Sequence, residues 1–406
     1  LVHESDGLII INDGTIEYAG AYSDGASRLE GCEVKSFPNH LITPGFIDTH
    51  VHYPQLPIIG AYGAQLIDWL NTYTFVAEQR YDDLEYAGQV SRIFLDELAR
   101  NGTTTAAVYC TVHPNSVEAF FQEAHARRLR MIAGKMLMDR NAPEALQDTA
   151  QSGYDDSLTL LQKWHEKGRL SYAITPRFAP TSTEAQLEAA GALWKAHPSA
   201  YMQTHVSENK DEVEWVKELF PDRANYIDVY AHYGLTGPRA LFGHAIYLEE
   251  TEWHHLAETD SSVIHCPTSN TFLGSGFFNF QRALQPESAG LAVRTGLATD
   301  VGGGTSLCML KSMGEAYKVG QLSGYSVSAA KAFYLATRGA AKALHLDNKI
   351  GSIEAGMEAD PASTPLLEFR TQYCNSIEEL LFVQMTLADD RAIDTVYSAG
   401  RVIKGA

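Results

Sequence analysis

His50 and His52 close the segment Pro44-Gly45-Phe46-Ile47-Asp48-Thr49-His50-Val51-His52-Tyr53-Pro54-Gln55, an apolar run ending in two imidazoles at spacing i, i+2. Successive side chains of a strand point to opposite faces, so both rings project from one face at a strand end, where they can bind a single metal ion. Taken alone the pair is weak, because 15 histidines among 406 residues give roughly half of one His-x-His pair by chance. Other chemically capable residues recur near the ends of later apolar runs, among them His205, His244 and Asp300. A hydrolytic zinc site needs nitrogen or oxygen ligands and an open position for water, whose pKa the metal lowers to about 7. His50, His52, His205 and Asp300 meet that need. Glu208, three residues after His205, is a carboxylate that can move a proton between a bound water and a ring nitrogen, at a helix N-terminus whose dipole suits its charge. Without His205 beside it, Glu208 would read as an ordinary first-turn acid. His244 is expected to orient water and stabilise an oxyanion-like intermediate rather than to ligate. His265 reads as a packed histidine, and His113, His232, His254 and His255 as structural.

Positioning these residues requires strands that converge. Eight short apolar runs alternate with helical patterns: Pro44 to His52, Thr103 to Tyr109, Arg130 to Leu137, Leu170 to Phe178, Ala200 to Val206, Ala240 to Ile246, Ser262 to Cys266 and Ala292 to Asp300. Helical stretches between them include Tyr86 to Arg100, Ser116 to Arg128, Thr183 to Ala196 and Glu208 to Phe220. The alternation predicts an α/β fold, a (β/α)8 TIM-type barrel whose site lies at the carboxyl ends of the strands. His50, His52, Arg177, His205, His244, His265 and Asp300 all fall at or near those ends. Outside the barrel, Gly7 to Tyr18 reads as a hairpin turning at Asp13-Gly14, and Ala392 to Lys404 as another strand-turn-strand, with Gly351 to Gly356 as a re-entry loop. Three spans follow: 1–43 and 346–406 as the two parts of a small flanking β-sandwich built from both termini, and 44–345 as the barrel. The aromatic-rich loop Leu56 to Asp83, with Tyr62, Trp69, Tyr73 and Phe75, is expected to cover the pocket.

Composition narrows the chemistry. A formal charge of −19 opposes nucleic acid and anionic lipid, which favours a small-molecule substrate. No apolar run approaches a membrane span and no basic n-region opens the chain, so a cytoplasmic location is expected. The five cysteines, Cys32, Cys110, Cys266, Cys308 and Cys374, are scattered with no Cys-x-x-Cys, so reduced thiols are expected.

The metal set, with His205-Val206-Ser207-Glu208, His244 and Thr299-Asp300, resembles the amidohydrolase superfamily across the barrel and both flanks. Within it, His52-Tyr53-Pro54-Gln55, Asp68-Trp69-Leu70 with Tyr73-Thr74-Phe75 and Glu78, and Thr175-Pro176-Arg177-Phe178 are similar to its guanine-deaminating members. The resemblance implies one Zn2+ per chain on His50, His52, His205 and Asp300, with Fe2+ able to use the same donors. It implies Glu208 and Asp300 as proton carriers, His244 near the reacting carbon, and a base pocket of Gln55, Arg177, Phe178 and Trp69. The implied reaction is hydrolytic deamination of guanine to xanthine and ammonia by a mononuclear zinc-activated water, in a homodimer. The alternative is deamination or dechlorination of another amino-heterocycle such as 8-oxoguanine, cytosine or a triazine. A metal-free scaffold would be expected to lose ligands that are all present here. Binuclear relatives bridge two metals through a modified lysine at the end of strand four, where this chain has Arg177-Phe178; Lys135 on strand three reads as a structural or rim lysine. One departure stands out: after Asp360 the superfamily continues with an apolar strand, whereas Pro361-Ala362-Ser363-Thr364-Pro365 is expected to be unable to serve as a central strand.

Overall fold

The computed structural model describes residues 1–63, 65–284 and 292–405. The chain opens with a hairpin, β1 (Gly7–Asn12) and β2 (Thr15–Ala21). Its two turn residues, Asp13 at φ 46° and Gly14 at φ 79°, have the left-handed backbone that matches the twist of the flanking strands. After β3 (His40–Pro44), eight parallel strands follow: β4 (Phe46–His52), β5 (Thr103–Tyr109), β6 (Arg130–Gly134), β8 (Ser171–Pro176), β9 (Tyr201–Val206), β10 (Ala240–His244), β11 (Ser262–His265) and β12 (Arg294–Leu297). A short β7 (Met136–Leu137) continues β6 and also pairs with β8. The sheet closes between its first and last strands, where Asp300 N–H donates to the His50 carbonyl (2.9 Å) and His52 N–H to the Val301 carbonyl (2.8 Å).

The eight expected strands are all present, most of them trimmed by one to three residues at their ends. The third breaks at Lys135, and a Cβ on Gly134 would run into the Ala173 carbonyl, so the neighbouring backbones can approach only because that residue is glycine. Lys135 is structural as expected: buried, its ammonium pairs with Asp148, which also accepts from Gln186 Nε2 at 2.5 Å.

Inside the barrel, one residue from each strand or its immediate extension forms an apolar layer: Ile47, Ala107, Ile132, Ala173, Tyr201, Leu241, Ile264 and Ala298. Ala340, Ala341, Leu344 and Ile350 pack against this layer, and the Tyr201 hydroxyl donates to the Leu344 carbonyl at 2.6 Å, so the amino ends are plugged. The outer helices bury their apolar stripes against the other strand faces. Leu84–Arg100 begins at Asp83, whose carboxylate accepts from the Glu85 and Tyr86 amides, buries Ala87, Val90, Phe94, Leu95 and Leu98, and ends before Gly102 at φ 79°.

Two expectations are corrected. Around residue 64, which lies outside the described residues, the expected loop Leu56 to Asp83 is instead a chain of short helical turns: Tyr53–Ile58, Leu66–Trp69, Leu70–Thr74, Phe75–Glu78 and Gln79–Asp82. Its Leu66, Trp69, Leu70 and Phe75 are buried against Tyr109, Met136 and Met138. The segment Pro361–Pro365 does form a strand, β13, and an inner one, in the antiparallel sheet β15-β14-β13-β3 with β14 (Val396–Ser398) and β15 (Arg401–Lys404). Alternation explains how two prolines fit. The even-numbered side of the segment bonds to the β3 strand, with Gly45 N–H to Asp360 and Leu366 N–H to Asn39, so the missing proline N–H groups fall on the other edge. That edge faces β14, where the pairing is short and centres on Ala362 and Ser363.

This sheet is tied to the amino end of the barrel by ions. Arg130 pairs with Glu358, and Arg169 reaches Glu358 and Asp360 as well as Ser398 Oγ at 2.8 Å. Burial alone would raise the Glu358 carboxyl, but its bonds to Arg130 and Arg169 outweigh that and hold it below 4.5. A carboxyl with a depressed folded pKa adds stability that is complete above its unfolded value and fades as pH falls through the folded one. Arg169→Met should therefore cost about 3–5 kcal/mol of unfolding free energy at neutral pH. The gap to wild type in denaturant titrations should narrow in acid; a gap of constant size across the acid range would show that the carboxylates are not its source.

Candidate functional site

At the carboxyl ends of the strands, alternation along β4 brings His50 and His52 to the same face, with Nε2 atoms 3.2 Å apart. His205, near the end of β9, places its Nε2 3.1 Å from that of His52. Sheet closure brings in Asp300, with Oδ1 3.2 Å from His50 Nε2 and 3.5 Å from His52 Nε2. A tetrahedron with metal–nitrogen bonds of about 2.0–2.1 Å has edges of about 3.3–3.4 Å, so these spacings fit one ion. Tautomers agree: His205 Nδ1 lies 2.6 Å from the Arg177 carbonyl and can only donate to it, leaving Nε2 with its lone pair facing the other donors. Burial lowers the pKa of all three imidazoles, so they are neutral, as ligation requires. Burial would raise Asp300, but the imidazoles of His50, His244 and His205 outweigh it and bring its carboxyl to about 2. A second donor grouping, His50, His244, Cys266 and Asp300, shares two members with the first and belongs to the same centre. The Tyr109 ring stacks on His52 with centroids 4.5 Å apart.

Glu208 and His244 stand beside this centre. Glu208 Oε2 lies 3.4 Å from His244 Nε2, which is 3.7 Å from Asp300 Oδ2. Burial lifts the Glu208 carboxyl to about 7, so near neutrality it takes and releases a proton with similar ease. Ser275 Oγ donates to Glu208 Oε1 at 3.1 Å, and His244 Nδ1 bonds Asn270 Oδ1 at 2.8 Å. The expected place of Glu208 in a helix's first turn is corrected. The helix Lys210–Leu219 starts later, and Glu212 closes its capping box while its carboxylate accepts from the Glu208 amide (2.9 Å) and the Asn209 amide (3.0 Å). Ser207, His244, Ala245 and Asp300 all have positive φ, between 49° and 69°. Non-glycine residues hold that conformation at a cost of about 1–3 kcal/mol each, and here the bends fall at the strand ends that carry His205, His244 and Asp300.

A pocket of about 410 Å³, counting its open mouth, lies over these groups and is walled by Gln55, Trp69, Arg177 and Phe178 with Leu66, Leu70 and Leu273. The fully buried Glu78 organises the polar wall: its Oε1 accepts from Gln55 Nε2 at 3.0 Å and its Oε2 from Arg177 Nη1 at 2.7 Å. The Gln55 oxygen is taken by the Gly302 amide at 3.1 Å, so Gln55 turns an N–H, not its carbonyl, toward a ligand. The Trp69 Nε1 is buried with no partner among the described residues.

All ten sequence-derived site residues thus meet in one place, with His50 beneath the pocket floor. His265 is packed, as expected, its ring stacked on Phe278 at 4.5 Å. Sequence reasoning assigned no role to Glu78, Asn270, Ser275 or Tyr109. Glu78 and Tyr109 carried a signal, an acid inside an apolar helical stretch and a tyrosine closing a strand, whereas Asn270 and Ser275 followed no pattern.

A family model described as "Amidohydrolase family" matches residues 41–403. The guanine deaminase of Escherichia coli is 50% identical over 404 residues, covering 98% of this chain and 91% of that protein. The solved structure of an E. coli guanine deaminase superposes with a TM-score of 0.95 at 49% identity, covering 98% of this chain and 93% of that one. A guanine deaminase from C. acetobutylicum, solved with guanine bound in its active site, superposes with a TM-score of 0.90 at 29% identity, covering 98% and 94%.

The donor geometry sets an outcome that elemental analysis can read. His205→Ala should abolish most metal retention after dialysis while the circular dichroism spectrum stays unchanged, since one of the four donors is removed. Undiminished metal in that variant would mean the four do not form one site.

Proposed function

Because the chain belongs to the amidohydrolase family, we propose that it hydrolyses guanine to xanthine and ammonia at this pocket. The observation that carries the reading is the donor-bearing wall of Gln55 and Arg177, held by Glu78 opposite the His and Asp cluster. Guanine's carbonyl oxygen and ring nitrogens are acceptors, so an amide N–H and a guanidinium read its edge while Phe178 and Trp69 cover its faces. The similarity to guanine deaminases over nearly the whole chain supports the same substrate.

A zinc ion on His50, His52, His205 and Asp300 would acidify water to a pKa of about 7 and so supply a nucleophile at neutral pH; Fe2+ suits the same donors. The chain's own groups handle the protons. Glu208, at about 7, takes one proton of the water and delivers it to the ring nitrogen beside the carbon that bears the amine. Asp300, ionised at neutral pH, takes the second proton from the oxygen added to the ring carbon and passes it to the departing amine. His244, fixed through Asn270, points Nε2 into the space between Glu208 and Asp300, where it steadies the oxygen added to the ring carbon. Ammonia leaves and the carbonyl of xanthine forms.

Ammonia release from a panel of amino-heterocycles tests the substrate, and turnover of a triazine or cytosine in place of guanine would overturn it. Glu208→Gln should keep its metal and lose about 10²–10⁴-fold in kcat, the usual worth of a positioned proton carrier. A near-normal rate in that variant would remove Glu208 from the mechanism. Arg177→Ala should keep its metal too, but raise KM for guanine by about tenfold or more, since a charge-assisted contact is lost.

A further inference from the structure

Glu78 belongs to neither donor grouping of the metal cluster, and both of its carboxylate oxygens are engaged by pocket-wall donors. Oε1 accepts from Gln55 Nε2 at 3.0 Å and from Arg177 Nη2 at 3.3 Å, and Oε2 from Arg177 Nη1 at 2.7 Å. Two guanidinium nitrogens on the two carboxylate oxygens is the geometry of a buried ion pair, a charge-neutral unit with Arg177 3% exposed and Glu78 fully buried. The guanidinium also sits over the Phe75 ring, 5.1 Å from its centroid, on the helical turn that carries Glu78.

A buried guanidinium without such a partner would be a strong anion trap, because charges attract far more strongly out of water. That matters for the reaction proposed above, on which this inference rests. Replacing an exocyclic amine by a carbonyl leaves a ring N–H flanked by two carbonyls, an imide-like group more acidic than anything in the substrate. The product therefore ionises more readily than guanine. We infer that Glu78 is a positioning residue that cancels the Arg177 charge, so that the wall donates hydrogen bonds to a neutral purine without retaining the anionic oxopurine formed from it.

Inhibition of guanine turnover by hypoxanthine, which is neutral, and by urate, which is anionic at neutral pH, separates charge balance from mere packing. In the wild type, urate should bind no more tightly than hypoxanthine despite the arginine; a preference for urate of about tenfold would overturn the inference without any variant. In Glu78→Gln the ratio of the two inhibition constants should shift toward urate by about tenfold or more, with xanthine inhibition appearing earlier in progress curves. Glu78→Asp keeps the charge, so its ratio should stay within about twofold of wild type while KM for guanine rises from the misplaced Gln55 and Arg177. Equal weakening of both inhibitors in Glu78→Gln would reduce Glu78 to a structural part. A wild type that releases no ammonia from guanine would sink the substrate reading instead, which a changed or unchanged inhibitor ratio in an active enzyme cannot do.

Discussion

Everything at the site depends on the closure of the parallel sheet between β4 and the extension of β12. The bonds from Asp300 N–H to His50 and from His52 N–H to Val301 are ordinary backbone pairings, yet they bring an aspartate from residue 300 within 3.2 Å of a histidine at residue 50. Asp48 fastens the same seam, accepting from the Thr299 amide at 3.0 Å and the Thr299 hydroxyl at 2.5 Å. Thr49 lies on the opposite face, where a Cβ on Gly296 would collide with it, so a glycine is needed for the two strands to meet. The donor cluster is thus a consequence of barrel geometry, and the neutral state of its histidines a consequence of the burial that closure imposes.

A second level of order comes from groups that touch no donor of the cluster. Glu78 fixes two wall residues from different elements, Gln55 after β4 and Arg177 after β8, through one carboxylate. Asn270 selects the orientation of His244, and Glu212 fastens the backbone that carries Glu208. Glu78 and Glu212 are buried carboxylates with both oxygens engaged by their neighbours, the condition under which such groups stiffen a site rather than weaken it.

The barrel was legible in the sequence because its strands are continuous apolar runs bounded by turn residues, and buried parallel strands have to be. The donors were legible because chemistry clusters at strand ends, so His205 and Asp300 could be recognised together with His50 and His52. Three things were hidden, each for a physical reason. Pro361–Pro365 was misjudged because composition does not reveal which edge of a strand its missing N–H groups will face. The helix after β9 was started too early because Glu208 looks as suited to a first turn as Glu212, whereas Asn209 is the cap and Glu212 closes its capping box, after a left-handed bend at Ser207. Asn270 sits on the short helix Pro267–Phe272 and Ser275 just beyond it, a stretch too brief to carry a periodicity that can be read.

The two charged assemblies lie at opposite poles of the barrel. The Arg130, Arg169, Glu358 and Asp360 cluster grips the amino ends, and the donors crown the carboxyl ends. A strand such as β4, seven residues long, sets roughly 20 Å between the poles at about 3.3 Å per residue. Over that span, effects on free energy add independently. The molecule therefore separates heat tolerance from substrate choice along one axis, and either pole is free to drift in sequence while the other is held under selection.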